Sequence, residues 1–276
     1  MSDEIFQLKP NVYGIGIDLL ALGRRMRRTK GESGGPATLA SRFLRVFKEH
    51  GVLATGIPDF IPVLRYSDLL EERALLAALT PDIMKQAADL FAVRLAWLLG
   101  TDDVIYETDY CYKSPRRLLD RLEGVARDPW NMPLRAISTS RQLDKQSVKS
   151  QRLELVIAEP ISTNGERTIY RYHPFADGWE WRYSECRIQL KAMVRALRRP
   201  VPLYEVSQAE IDLAYCGSLF FGQALRGSLV TAPSLEDYAM TSSESRQAKE
   251  VDEIPFVSIY VRENGLSRGL SLERSE

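Results

Sequence analysis

The sequence predicts an α+β protein, an N-terminal all-helical module followed by a smaller mixed α+β module. Three observations lead there. In the first 126 residues, apolar positions recur at helical spacing between capping and breaking residues. From Leu153 onward, short apolar or alternating runs are separated by turn dipeptides such as Asn164-Gly165 and Asp177-Gly178. A chain of 276 residues with 45% apolar content can also build more than one core. The predicted organisation is a helical module over residues 11–112 and a helix and linker over 113–150, then an α+β dimerisation or sensing module over 151–262 and a disordered tail over 263–276.

Within the helical module, Ile15, Leu19, Leu22 and Met26 predict a helix from about Gly16, and Gly31 to Pro36 a loop. A second helix runs from Ala37 to about Glu49, with Leu39, Phe43, Val46 and Phe47 inward, and Gly51 stops it. Pro58 and Pro62 leave room only for a short helix around 58–61. Ser67-Asp68 caps a further helix with Leu69, Leu70, Leu75, Leu76 and Leu79 on its apolar side. Thr80 caps the next, with Pro81 and Asp82 in its first turn and Ile83, Ala87, Leu90 and Phe91 on one face. Ala92-Val93 breaks it, and Arg94 to Leu99 forms one more turn before Gly100.

Ser114-Pro115 opens a helix to about Ala126, and Ile137 to Ser150 reads as an exposed connection. Leu153–Ile157, Thr168–Tyr172, Trp179–Tyr183 and Phe256–Val261 read as strands. Ser184 to Arg198 and a capping-box helix from Ser207-Gln-Ala-Glu210 supply the helices of this half.

The stretch Thr80 to Asp103, with its Leu-Phe-Ala-Val turn and Trp-Leu-Leu-Gly ending, resembles the closing helices of Cro/repressor-type (XRE-like) helix-turn-helix domains, and the resemblance extends over about residues 37–103. It implies a helix-turn-helix-like module that binds duplex DNA, as a homodimer on paired half-sites, in a transcriptional regulator. Eight basic residues between Arg24 and Lys48 fit that expectation, because phosphates attract such a local field: Arg24, Arg25, Arg27, Arg28, Lys30, Arg42, Arg45 and Lys48. A solvated face, or an acidic or membrane partner, accounts for the same cluster. Where a recognition helix belongs, Gly51 to Leu64 is proline-rich and lacks base-reading Gln, Ser and Arg; Thr55 and Asp59, with Arg65 just beyond, are the polar candidates for groove contact. A helical module without DNA reading would serve protein–protein contact, the alternative function.

In the second half, Tyr170, Tyr172, Trp179 and Trp181 are the candidate ligand-binding aromatics, for a small-molecule effector or for stacked bases, with a hydrophobic core as the other reading. Arg187, Lys191, Arg195 and Arg198 form a helical stripe, read as a solvated face or a second phosphate-facing surface.

No catalytic residues are assigned, and the chain is expected not to be an enzyme. His50 ends a helix, where a cation is favoured, and His173 has Asp177 or Cys186 as sequence neighbours. The Gly14-Ile-Gly16 stretch lacks the continuation of a nucleotide loop, and Cys111, Cys186 and Cys216 lack zinc spacing and read as reduced thiols. No cofactor and no metal are expected. With 37 basic and 37 acidic residues and no long apolar run, a soluble cytoplasmic protein without membrane contact is expected.

Overall fold

A computed structural model describes residues 37–125, 133–164, 167–225 and 234–266. All of these belong to one compact unit. The predicted helix from Gly16 lies outside the described residues. The described fold is α+β, a helical region followed by a sheet with helices.

The helical region opens with α1 (Leu39–Glu49), where the Thr38 hydroxyl accepts from the Ser41 amide and Gly51 leaves the helix at φ +87°. A 3-10 turn (Ala54–Gly56) leads into α2 (Ile57–Phe60), and a second 3-10 turn (Tyr66–Leu69) leads to α3 (Glu72–Ala78). The single helix predicted after Ser67 is therefore two short pieces, and Leu70 and Leu76 face solvent rather than an apolar side. Helix α4 (Pro81–Phe91) is capped by the Thr80 hydroxyl and ends in left-handed Ala92, followed by α5 (Leu95–Leu98).

Helix α6 (Pro115–Glu123) bridges to the sheet. The strands are β1 (Leu134–Ser138), β2 (Arg152–Asn164), β3 (Arg167–Pro174), β4 (Trp179–Glu180) and β5 (Leu203–Glu205). Their order is β3-β2-β1-β5, with β4 paired to β2; β1 and β5 are parallel and the other pairs antiparallel. Helix α7 (Ser184–Leu197) precedes β5, and α8 (Gln208–Tyr215), with the predicted Ser207–Glu210 capping box, follows it. Then come α9 (Phe221–Ala224) and α10 (Ile254–Glu263).

The sheet is covered on both faces. Ile137 of β1, Val156 and Ala158 of β2, and Ile169 and Tyr172 of β3 share a core with Phe43, Phe47, Met84, Phe91 and Trp97 of the helical region. Their alternates Leu134, Ala136, Leu155 and Ile157 share a second core with Leu118 and Leu122 of α6 and Leu190 and Met193 of α7. Burial on both sides explains why Leu153–Ile157 reads as an apolar run rather than an alternation. At the junction, Gly222 approaches α1 so closely that a Cβ there would lie 2.0 Å from the Glu49 carbonyl oxygen.

Three expectations are corrected. Ile137 and Ser138, the start of the supposed exposed connection, end an inner strand, β1, whose Leu134, Ala136, Ile137 and Ser138 are fully buried between β2 and β5. Phe256–Val261 is helical, because Pro255 pre-sets a first turn and Ile254 and Val257 pack inward three residues apart. Only Trp179–Glu180 of the predicted Trp179–Tyr183 strand pairs, before the chain turns into α7.

Candidate interaction surface

The basic residues predicted to meet phosphate divide three ways. Arg24, Arg25, Arg27, Arg28 and Lys30 lie outside the described residues. Arg42, half-buried, and Arg45, exposed, make contacts within the fold. The Arg42 guanidinium lies 5.4 Å over the Trp97 ring and donates from Nη1 to the Trp97 carbonyl at 2.8 Å. Arg45 lies 5.1 Å over the Phe220 ring and 3.7 Å from the Glu49 carboxylate. Lys48, Thr55 and Arg65 are exposed. Between residues 37 and 103 the chain carries nine acidic and seven basic side chains, so this region lacks a positive excess of its own.

The candidate ligand-binding aromatics do not converge. Tyr172 is buried and Tyr170 half-buried against the core on one sheet face, whereas Trp179 and Trp181 are buried in the core on the other. They are packing residues. The helical stripe on α7 is interior over its first half: Arg187 and Lys191 are 5% and 1% exposed, whereas Arg195 is half-buried and Arg198, just past the helix, is exposed. Lys191 Nζ donates at 2.6 Å to both Glu250 and Glu253, and lies 5.2 Å over the Trp181 ring. Arg187 forks onto Glu253, and Arg195 pairs bidentately with Glu244 at 2.9 Å. Burial would raise the Glu253 carboxyl, but hydrogen bonds from Arg187 and Lys191 outweigh it and hold the group down at about 2. The acidic partners follow Tyr238 in sequence, which is why the helix alone read as a solvated or phosphate-facing surface.

Both histidines are structural. His50 Nδ1 meets the Val46 carbonyl at 2.7 Å and Nε2 meets the Tyr106 hydroxyl at 3.1 Å. Its ring lies 4.3 Å from Phe91 and 5.5 Å from Tyr172. Burial lowers it to about 4, so the cation expected at this helix end is a neutral imidazole. His173 faces Glu159 at 3.0 Å, not Asp177 or Cys186.

Glu154 is fully buried, accepts from the Asp177 and Gly178 amides at 3.1 Å, and is raised by burial to about 8. Asp177 in turn accepts from the Cys111 and Tyr112 amides, the Cys111 thiol and the Trp179 indole. These carboxylates tie the turn before β4 to the segment before α6. Burial pushes the Cys111 thiol far up, which leaves it a poor nucleophile.

What sequence reasoning missed is apolar. Leu53, Val63, Tyr66 and Leu70 are 75%, 67%, 60% and 81% exposed within 18 residues. The backbone around them is anchored by Ile57, Ile61 and Leu64, all buried. The signal was available: between Pro58 and Pro62 the chain cannot form one amphipathic helix, so its apolar residues cannot all turn inward. A groove of about 500 Å³ runs from Val63 and Asp68 to Asp82 and Gln86.

No family model matches the chain, and neither a curated protein nor a solved structure matches it. Among the described residues, no helix is long and apolar enough to cross a membrane.

Proposed function

We propose that this chain is a non-catalytic interaction protein whose helical region docks a protein partner through the segment 53–70. The observation that carries this reading is the exposure of Leu53, Val63, Tyr66 and Leu70 on a backbone held by buried Ile57, Ile61 and Leu64. Large apolar side chains exposed on an anchored backbone cost solvation in the isolated protein and favour burial against a partner. Tyr66 is the natural anchor, with a large apolar body and a polar tip. The test is affinity capture on immobilised wild type and on the Leu53→Ser/Tyr66→Ser/Leu70→Ser variant. The same protein retained by wild type and lost by the variant, at equal thermal stability, supports docking there. Identical recovery on both contradicts it.

A second reading, a DNA-binding regulator of helix-turn-helix type acting as a homodimer with an effector-responsive C-terminal half, rests on exposed Lys48, Thr55 and Arg65 and on the basic run Arg24–Lys30 in the sequence. Duplex binding measured across a salt series decides it. Regulator-type binding weakens steeply with salt, and Lys48→Ala/Arg65→Ala makes the slope shallower. No binding at low salt removes this reading.

A further inference from the structure

The sheet half encloses a cavity of about 410 Å³. It lies between the last turns of α7, the 3-10 turn Leu235–Tyr238 with the residues after it, and the end of α10 with Leu266. Val194, Ala196, Met240, Val261 and Leu266 form its apolar wall. Val194, Ala196 and Leu266 are no more than 5% exposed and close its floor, and half-buried Met240 and Val261 stand nearer solvent.

Four charged residues complete the lining, and two of them neutralise each other. Arg195 holds Glu244 through two hydrogen bonds of 2.9 Å and donates to the Ala239 carbonyl at 2.7 Å, so that pair is part of the wall. Arg198 and Glu236 remain. Arg198, the left-handed residue that ends α7, is exposed, and Glu236 is half-buried. Neither has an ion pair or a side-chain hydrogen bond among the described residues, and they are not paired with each other. Burial, with the Asp237 charge beside it, raises the Glu236 carboxyl, the mark of an acid held partly out of water without a cation.

We propose that this cavity binds an apolar α-amino acid, its carboxylate on Arg198, its ammonium on Glu236 and its side chain against Val194, Met240, Val261 and Leu266. The volume falls within the ~300–1,000 Å³ of small-molecule pockets, and apolar walls with a few polar groups are their usual make-up. An unpaired cation and an unpaired acid on one cavity match a zwitterion. An apolar acid satisfies Arg198 and leaves Glu236 without its counter-charge, and an apolar amine does the reverse. An amino acid carries both charges on one carbon, and the guanidinium fork suits its carboxylate. The site is separate from the 53–70 segment, and its failure leaves the docking reading as it stands.

The experiment is isothermal titration calorimetry of the full chain at neutral pH. The probes are L-phenylalanine with 3-phenylpropanoate and 2-phenylethylamine, which each lack one of its charges, and L-leucine with 4-methylpentanoate and 3-methylbutylamine. At least one of the two amino acids is expected to bind saturably, about tenfold more tightly than either of its analogues, as the loss of one charge-assisted hydrogen-bonded group implies. Arg198→Ala is expected to lower that amino acid to the affinity of its amine analogue and to leave the amine unchanged. Glu236→Gln is expected to lower it to the affinity of the acid analogue and to leave the acid unchanged. The retained analogue in each variant shows that the cavity is intact. No saturable binding of either amino acid, an analogue that binds as tightly as its parent, or a variant with wild-type discrimination overturns this inference.

Discussion

The helical region and the sheet region handle charge and aromatic surface in opposite ways. Over the first half of α7 the cations are interior: Lys191 is 1% exposed and bound by two carboxylates, and Trp179 and Trp181 are core residues. On α4 Asp82, Lys85 and Asp89 are exposed, with no ion-pair partner among the described residues, and the residues between α1 and α3 expose Leu53, Val63, Tyr66 and Leu70. The features that read as binding chemistry in sequence, a basic stripe and an aromatic cluster, build the sheet half. The stretch that read as empty, rich in proline and poor in polar side chains, is where the molecule offers a surface. Side-chain type therefore says little about function here until burial is known.

That contrast can be broken first where the effect is largest. Lys191→Ala leaves half-buried Glu250 and buried Glu253 with Arg187 as their remaining cation, and a loss of about 3 kcal/mol is expected from urea unfolding at neutral pH. Removing the charges from both sides, as in Lys191→Met/Glu250→Gln, should be milder than the single change, because no uncompensated ion remains from that pair. Equal losses would show that packing rather than charge pairing holds α7 to the segment before α10.

The next effect is in pH dependence. Glu154 is raised from 4.5 to about 8, so its folded form holds a proton that the unfolded form has released. Its contribution is fully present below about pH 4.5 and is lost as pH rises through about 8. Glu154→Gln, which cannot ionise, should flatten the stability profile between pH 5 and 8.5. Glu253 has the opposite sign: held at about 2, it stabilises above its unfolded value and loses that contribution as pH falls through about 2. A profile of Glu154→Gln with the wild-type slope would place the titrating group elsewhere.

The smallest stability effect belongs to the exposed surface. Tyr66→Ser and Leu70→Ser should each change unfolding free energy by no more than about 0.5 kcal/mol, because both side chains already face solvent. A drop in melting temperature comparable to that of Lys191→Ala would mean these residues pack against something within the chain.

Local chemistry made part of the fold legible. The Thr80 cap, the left-handed break at Ala92 and the Ser207–Glu210 capping box are encoded within a few residues and stand where they were expected. So does the hairpin of β2 and β3. Elements defined by distant partners were not legible. The Leu134–Ser138 strand exists because β2 and β5 flank it, and Ile254–Glu263 is a helix because it packs on α7, although Phe256–Val261 is rich in strand-forming residues. The surface was half legible. Thr55 and Arg65 were singled out from the segment that exposes Leu53, Val63, Tyr66 and Leu70, but for hydrogen bonding. The apolar residues around them gain meaning only once the prolines are seen to prevent one amphipathic helix.

The central claim is that the 53–70 segment of the helical region, and not the sheet half, meets a protein partner. The direct measurement places a photo-crosslinking amino acid at Tyr66 and, as a control, at Val148, which is 89% exposed but lies outside the 53–70 segment. After irradiation in cells that express the chain, the account predicts a discrete adduct of higher mass from position 66 and none from position 148, with the adduct lost on adding Leu53→Ser and Leu70→Ser. The same adducts from both positions, or an adduct at 66 indifferent to Leu53 and Leu70, would contradict it.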